Sequence, residues 1–457
     1  MLQIILARLL TPEHYGMLSI MIIFTALANV FIQNGFNTAL IQNRDVKEAD
    51  YSSVLWVSLG IAGLLYAVIY FCAPFIASFY GMPEIALPLR VLALILFPGA
   101  LNSVQLAKVS REMDFYKVFY SNVGAVLVSG VVGIVIAVLG GGVWALVAQS
   151  IFNVLAACVI MSFTARLKIK FACDIGRVGV LFRFGWKLLV SSLIDTLYQD
   201  LRSLIIGKKY NSETLGYYNR GKQFPQLIIN SVNGAVQSVM LPAMSEHQDD
   251  REKIKTLVRS SVTLSSYIIL PTMAGLAAVA APLVSLLLTD KWLPAVPYMR
   301  IYCFTLAFYP IHSCNLQAIN AMGRSDVFLR LEIIKKSYGI LALAVAVIFF
   351  RSPIAIAMTG AITTVISSFV NAFPNKKLIG YAYFEQMKDI LPSLFMSLVT
   401  CGAVLAVGML NINVFLLLLI QISVGVSVYL LMSVILKPAP FRLILASIKS
   451  LRGGKSV

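Results

Sequence analysis

The chain has 457 residues, of which 59% are apolar and only 12% charged, with a net charge of +17. A soluble domain is about 45–50% apolar and about 25% charged, so a water-soluble globule is excluded and lipid must solvate much of the surface. The positive excess lies in short segments between apolar runs and forms no basic face, which argues against nucleic-acid binding.

The first ten residues, MLQIILARLL, are apolar but end at Thr11-Pro12, too short for the roughly 20 residues that cross a bilayer. They lack the basic start and small-residue cleavage site of a secretory signal. They read as the back half of a helix whose front precedes Met1, through a misassigned start or a truncation. Thirteen apolar runs follow, at 17–41, 52–73, 85–107, 118–139, 143–163, 184–206, 223–242, 257–281, 298–321, 333–350, 352–373, 389–410 and 413–436. None alternates every second residue as a barrel strand would. Each predicts a helix that satisfies its own backbone in lipid. The expected fold is therefore all-α and polytopic, with about 14 transmembrane helices, the first incomplete. Pro74, Pro98, Pro271 and Pro310 lie within or near these runs and predict kinks. The six cysteines fall mostly in apolar runs without a CxxC pair and read as small buried hydrophobes.

The first full run carries Gln33, Asn34 and Asn37 near its end. The seventh helix breaks the apolar pattern in LIDTLYQDLRSLIIGKKY, residues 193–210. On a helix, Asp195, Tyr198, Gln199 and Arg202 fall within an arc of about 100°, with Ser191 and Ser192 one turn back. A charge near the middle of a span costs about 2.5–3.5 kcal/mol. A wet cavity or an opposite charge would offset that cost, so the stripe either lines a central cavity or forms a structural ion pair, with Arg202 free to snorkel. Lys208 and Lys209 follow at the outer end. The eighth helix, run 223–242, repeats the amide pattern with Asn233 and Gln237, which either face the same cavity or hydrogen-bond between helices.

Alternate loops differ in Lys and Arg. The segments 42–51, 108–117, 164–187, 243–259, 322–336, 374–388 and 437–457 hold 27, and the opposite set holds 9. Cationic loops stay in the cytoplasm, which places the C-terminus there. The opposite loops are short, the longest running from about 207 to 222, so no external domain is expected.

The chain also repeats. IILARLLTPEHYG (4–16) lies on LIIGKKYNSETLG (204–216) at an offset of 200, and Gln105 and Asp114 match Gln317 and Asp326 at 212. Six spans per period give two copies of the same orientation, and sites in such proteins lie between the copies. The expected domains are an N-terminal lobe at 1–183, a C-terminal lobe at 184–388, and an extra hairpin with a basic tail at 389–457. Catalytic signals are poor. His14, His247 and His312 are far apart, no HExxH or GxSxG is present, and LRGGKSV (451–457) lacks the first glycine and the preceding strand of a phosphate loop. Neither enzyme chemistry, nor a metal, nor a cofactor is expected.

IILARLLTPEHYG, IGKKYNSETLGYYNRG (206–221), LPAMSEHQDDREKIK (241–255) and GGGVWALVAQS (140–150) together resemble the polysaccharide exporters of the MOP superfamily, nearest to Wzx-type and colanic-acid-type flippases. The resemblance runs from residue 4 to about 440. It implies a bacterial cytoplasmic (inner) membrane protein with two six-helix lobes in a V around a central cavity and a peripheral helix pair. It implies export of a polyprenyl-pyrophosphate-linked oligosaccharide to the outer leaflet for surface polysaccharide synthesis, with H+ or Na+ as a coupling ion and contact with the polymerase machinery. The pyrophosphate wants Arg or Lys, for which Arg202, Lys208 and Lys209 are candidates, and Asp195 is a candidate for ion coupling. The sugars want amides and aromatic faces, which Gln33, Asn37, Asn233, Gln237, Tyr198 and Gln199 offer. A lipid II flippase or a multidrug antiporter would share the fold. A glycan polymerase or ligase would need an external catalytic loop, which the sequence lacks.

Overall fold

A computed structural model describes residues 2–33, 40–41, 47–165, 167, 174–247 and 250–452. Among these, every regular element is helical and no strand occurs. Ten helical segments are long and apolar enough to cross a membrane. In chain order the helices are α1 (Leu2–Leu9), α2 (Pro12–Gln33), α3 (Glu48–Tyr80), α4 (Ala86–Leu92), α5 (Leu96–Arg111), α6 (Phe115–Val138), α7 (Val143–Ala165), α8 (Ile175–Lys209) and α9 (Ser212–Glu246). They continue as α10 (Arg251–Ala278), α11 (Ala280–Leu288), α12 (Val296–Ala307), α13 (Tyr309–Ala321), α14 (Ser325–Phe349), α15 (Pro353–Leu378), α16 (Tyr383–Val407), α17 (Val414–Leu436) and α18 (Ala439–Arg452).

Polar residues just outside the apolar runs set the starts. The backbone N–H of Lys47 donates to Asp50 at the head of α3, 2.8 Å. Asn211 accepts from the Thr214 N–H at the head of α9, 2.8 Å, Asp250 from Lys253 at α10, 3.0 Å, and Asn413 from Phe415 at α17, 2.9 Å. Each satisfies an amide that the first turn leaves without an intrahelical partner. Pro12, with its preset φ and no N–H to satisfy, opens α2.

Two of the expected spans are broken. The run at 85–107 becomes α4, a 3-10 turn over Ala93–Ile95, and α5, which carries Pro98 in its first turn. The run at 298–321 breaks between α12 and α13, with Pro310 in the first turn of α13. The loop expected at about 207–222 is not a loop. α8 runs to Lys209 and α9 starts at Ser212, so both helices extend past their apolar stretches and only Tyr210 and Asn211 connect them.

The chain divides into two compact units, Met1–Gly216 and Tyr217–Val457. In the first, α2, α3 and α7 pack on α5, α6 pairs with α7, and α8 packs on α2 and α3. Leu40, Val54, Leu55, Val104 and Ala107 form one of its apolar clusters. In the second, α10 and α15 pack on α13, α14 pairs with α15, and α16 and α17 form a hairpin against α10 and α11. Its main cluster joins Met244, Ile254, Val258, Ile311, Cys314 and Tyr381. The packing of α3, α5, α6 and α7 is thus repeated by α10, α13, α14 and α15.

The helix starts refine the register of that repeat. Pro12 answers to Ser212 at an offset of 200, whereas the helix end at Arg111 and the helix starts at Phe115 and Val143 answer to Ala321, Ser325 and Pro353 at an offset of 210. The Gln105–Gln317 and Asp114–Asp326 matches at 212 are therefore two residues out of register. At 210, Gln105 meets Asn315, and both amides are fully buried.

Candidate functional site

The polar stripe lies on α8, in the half that packs within the first unit. Asp195, Tyr198 and Arg202 are half-buried, Gln199 is exposed, and Ser203 beside Arg202 is buried. Asp195, Asp200 and Arg202 each engage a partner, as charges within an apolar helix must. The stripe borders the buried edge of α8 without being sealed inside it.

Lys208 does something the sequence did not indicate. Its Nζ sits 4.1 Å from the centre of the Phe79 ring and donates a short hydrogen bond to the Phe79 carbonyl. Phe79 lies in the last turn of α3, where carbonyls lack intrahelical donors and the helix dipole favours a cation. Lys208 thereby fastens the end of α8 to the end of α3. Lys209 is exposed beside it.

Gln33 is the last residue of α2 and is exposed; Asn34 and Asn37 lie outside the described residues. Asn233 and Gln237 on α9 are engaged with α13. Asn233 donates to the Tyr309 hydroxyl at 3.4 Å and accepts from Ser313 at 2.7 Å, and Gln237 donates to Ser313 at 3.1 Å. These amides clamp two helices of the second unit together, the second of the two roles open to them from sequence.

Three further features go beyond the roles assigned from sequence. The first is a pair of arginines. Arg90 donates from Nε to the Tyr70 carbonyl at 3.0 Å and stacks 4.3 Å over the Tyr70 ring. Tyr70 stands four residues before Pro74, which has no N–H to offer it. Arg300 donates from Nε to the Ala277 carbonyl at 3.2 Å, at the end of α10 where the helix breaks before Pro282. Each unit thus has an arginine, 210 residues from its counterpart, on a carbonyl freed by a helix interruption. The available signal was an arginine two or three residues after a proline in both ALPLR (86–90) and AVPYMR (295–300).

The second group is a buried amide cluster. Asn315 donates to Gln386 Oε1 at 2.8 Å, Gln386 donates back to Asn315 Oδ1 at 3.0 Å, and Asn375 donates to the same oxygen at 2.6 Å. All three are 0% exposed. Nearby, Tyr381 donates to Asp389 at 2.7 Å, and Asp389 pairs with Arg259 at 2.6 Å. Burial, followed by the adjacent Asp389 carboxylate, pushes the Tyr381 phenol above its ordinary range. At the head of α14, two hydrogen bonds from Arg324 hold the Asp326 carboxyl in the first turn down at about 2.

The third is the backbone crossing of α2 and α9 at their first turns. A Cβ on Gly16 would lie 1.7 Å from the Ser212 carbonyl oxygen, and one on Gly216 would lie 2.0 Å from the Pro12 carbonyl oxygen. The two contacts exchange under the 200-residue offset. No cluster of His, Cys, Asp and Glu able to hold a metal occurs among the described residues.

The profile of the polysaccharide biosynthesis protein family matches residues 5–297. The succinoglycan biosynthesis transport protein ExoT of Rhizobium meliloti (strain 1021) is 24% identical over 323 residues, which are 71% of this chain and 65% of that one, just under two thirds of its length. The teichuronic acid biosynthesis protein TuaB of Bacillus subtilis (strain 168) is 24% identical over 90% of this chain and 86% of its own. The lipopolysaccharide biosynthesis protein WzxC of Escherichia coli (strain K12) is 22% identical over 88% and 82%. Among solved structures, the lipid II flippase MurJ in an inward closed conformation superposes with a TM-score of 0.77 at 18% identity, covering 95% of this chain and 96% of its own. An inward-facing multidrug resistance MATE family transporter of the MOP superfamily superposes with a TM-score of 0.64 at 16% identity, covering 82% and 94%. By the length of the family match the chain belongs to the polysaccharide biosynthesis protein family, and its helices take the fold of these membrane transporters.

Proposed function

We propose that this protein is a flippase that carries a polyprenyl-pyrophosphate-linked oligosaccharide from the cytoplasmic to the outer leaflet of a bacterial inner membrane, by alternating access, for a surface polysaccharide. The observation that carries this reading is a polysaccharide-biosynthesis sequence folded as a transporter. The relatives named for a transport role supply the direction of inference, and the charged stripe on α8 supplies a place for an anionic head. The reading assigns no catalytic step to the chain.

Within this proposal, Arg202 counters the pyrophosphate, because a guanidinium offers paired donors to phosphate oxygens. Asp195, two turns earlier on the same arc, takes up the coupling H+ or Na+. Tyr198 and Gln199 meet the sugars. Lys209 and Gln33, both exposed, are secondary candidates. Lys208, Asn233 and Gln237 contribute through helix packing, because each holds a hydrogen bond that joins two helices. The C-terminus is cytoplasmic, and the polymerase machinery is the partner that receives the product.

Deletion in the native host tests the function. The expected outcome is loss of a surface polysaccharide with build-up of its lipid-linked unit on the cytoplasmic side. Normal polysaccharide in the deletion strain would refute it. For the residues, Arg202→Ala at normal protein level should lower export at least tenfold while Arg202→Lys keeps part of it, and Asp195→Asn should lose its response to the ion gradient.

A further inference from the structure

We propose that α18 is a membrane-surface helix that binds the anionic lipid headgroups of the leaflet from which α17 emerges. The chain turns off the α17 axis within one residue, since Lys437 caps that helix in the left-handed conformation with φ of 44°. Pro438 and Pro440 are buried and set the start of α18, and α18 packs on α10. Arg442 folds back and donates from Nε to the Lys437 carbonyl at 2.8 Å. This brings two cations to the point where the chain leaves the bilayer.

The sequence of α18 is amphipathic, with apolar residues at 441, 444, 445, 448 and 451, the spacing of one helix face. Packing on α10 half-covers Phe441 and Ile444 but leaves Leu445, on the same face, 41% exposed. An exposed leucine on the apolar face, with exposed cations at Lys437 and Arg442, suits the headgroup level, where an apolar face sinks into the acyl boundary and basic residues meet phosphate. Charge selects the occupant. After Asp389 the chain has no Asp or Glu, while Lys437, Arg442, Lys449, Arg452 and Lys455 follow. A partner protein would call for an acidic surface, but an anionic leaflet already lies where α17 ends. Each cation near such a surface favours binding about fivefold, and salt screens the effect.

The full-length protein in nanodiscs tests this, because both leaflets then have the same composition and the result does not depend on orientation or on the substrate. Amide hydrogen exchange is followed in discs of phosphatidylcholine alone and in discs with one third phosphatidylglycerol. Exchange over 439–452 should slow about tenfold in the anionic discs, and the slowing should vanish in 0.5 M NaCl and in a Lys437→Glu/Arg442→Glu variant. Leu445→Gln should weaken it without removing the salt dependence. Unchanged exchange in α10 shows that each variant is folded. Equal exchange in the two lipids, slowing that survives charge reversal, or slowing that requires added membrane proteins would each overturn the proposal.

Discussion

Gly16 and Gly216 show how little room one atom has where two helices cross backbone to backbone. A methyl group at either position would overlap a carbonyl oxygen of the other helix, and backbone cannot step aside as a flexible side chain can. Gly16→Ala and Gly216→Ala should each destabilise the protein by about 1–3 kcal/mol, the usual cost of forced overpacking, read as a lower Tm in detergent. Gly60 and Gly63 on α3 have nothing within 4 Å of their built Cβ, so alanine there should be neutral or slightly stabilising by helix propensity. If all four variants melted together, the crossing would not be tight. Arg90 invites a second residue-level measurement. Pro74→Ala supplies the N–H that Tyr70 lacks, so the loss caused by Arg90→Ala should be smaller by about 1 kcal/mol in the Pro74→Ala background. A double-mutant cycle reads that coupling, and strict additivity would show that Arg90 does not substitute for the missing donor. The motif around Gly16 and Gly216 stood out in the sequence as a repeat. Its reason did not, because the partner atom is a backbone oxygen, which the side-chain pattern does not encode.

At the level of elements, every apolar run has its helix, because a run of that length has one way to satisfy its backbone in lipid. The breaks were harder to see. Pro98 and Pro310 suggested kinks, but each span divides just ahead of its proline, over Ala93–Ile95 and at Phe308, which hydropathy does not reveal. Extended helix ends were also missed, since polar residues such as Lys209 and Ser212 look like a loop when hydropathy alone decides. The α8 stripe was legible because charge in lipid is rare, whereas the Asn315–Gln386–Asn375 cluster was not, since three isolated amides on three helices meet only after folding. That cluster locks α13, α15 and α16. Gln386→Leu removes both of its hydrogen bonds to Asn315 in a fully buried site, and should cost about 1–3 kcal/mol. Adding Asn315→Leu and Asn375→Leu removes the stranded groups, so the triple variant should recover part of the loss. A triple variant less stable than Gln386→Leu alone would mean that the network, not its desolvation, dominates the energetics.

For the whole molecule, the informative quantity is the uneven distribution of charge along the chain. The ratio of 27 to 9 in Lys and Arg between alternate connections is an insertion signal acting before the helices pack. Folding then gives some of these cations second tasks. Lys108 donates to the Ala165 carbonyl at 3.0 Å and Arg111 to the Leu40 carbonyl at 2.9 Å, each at the end of an apolar segment. Cations of the Lys- and Arg-rich connections thus also cap carbonyls, so the packing agrees with an orientation set by the charge bias. The connections near 113, 323 and 380 and the C-terminus should therefore face the cytoplasm, while those near 81, 141, 210 and 351 face outward. Reporter fusions distinguish the two sets. Green fluorescent protein should fluoresce after residue 457 or at 380, and alkaline phosphatase should be active at 141 or 351 and inactive at the first set. Active phosphatase at the C-terminus would invert the orientation. Arg202 would then meet the substrate from the wrong side of the membrane, and the proposed direction of transport would fail even though every helix remained where it is.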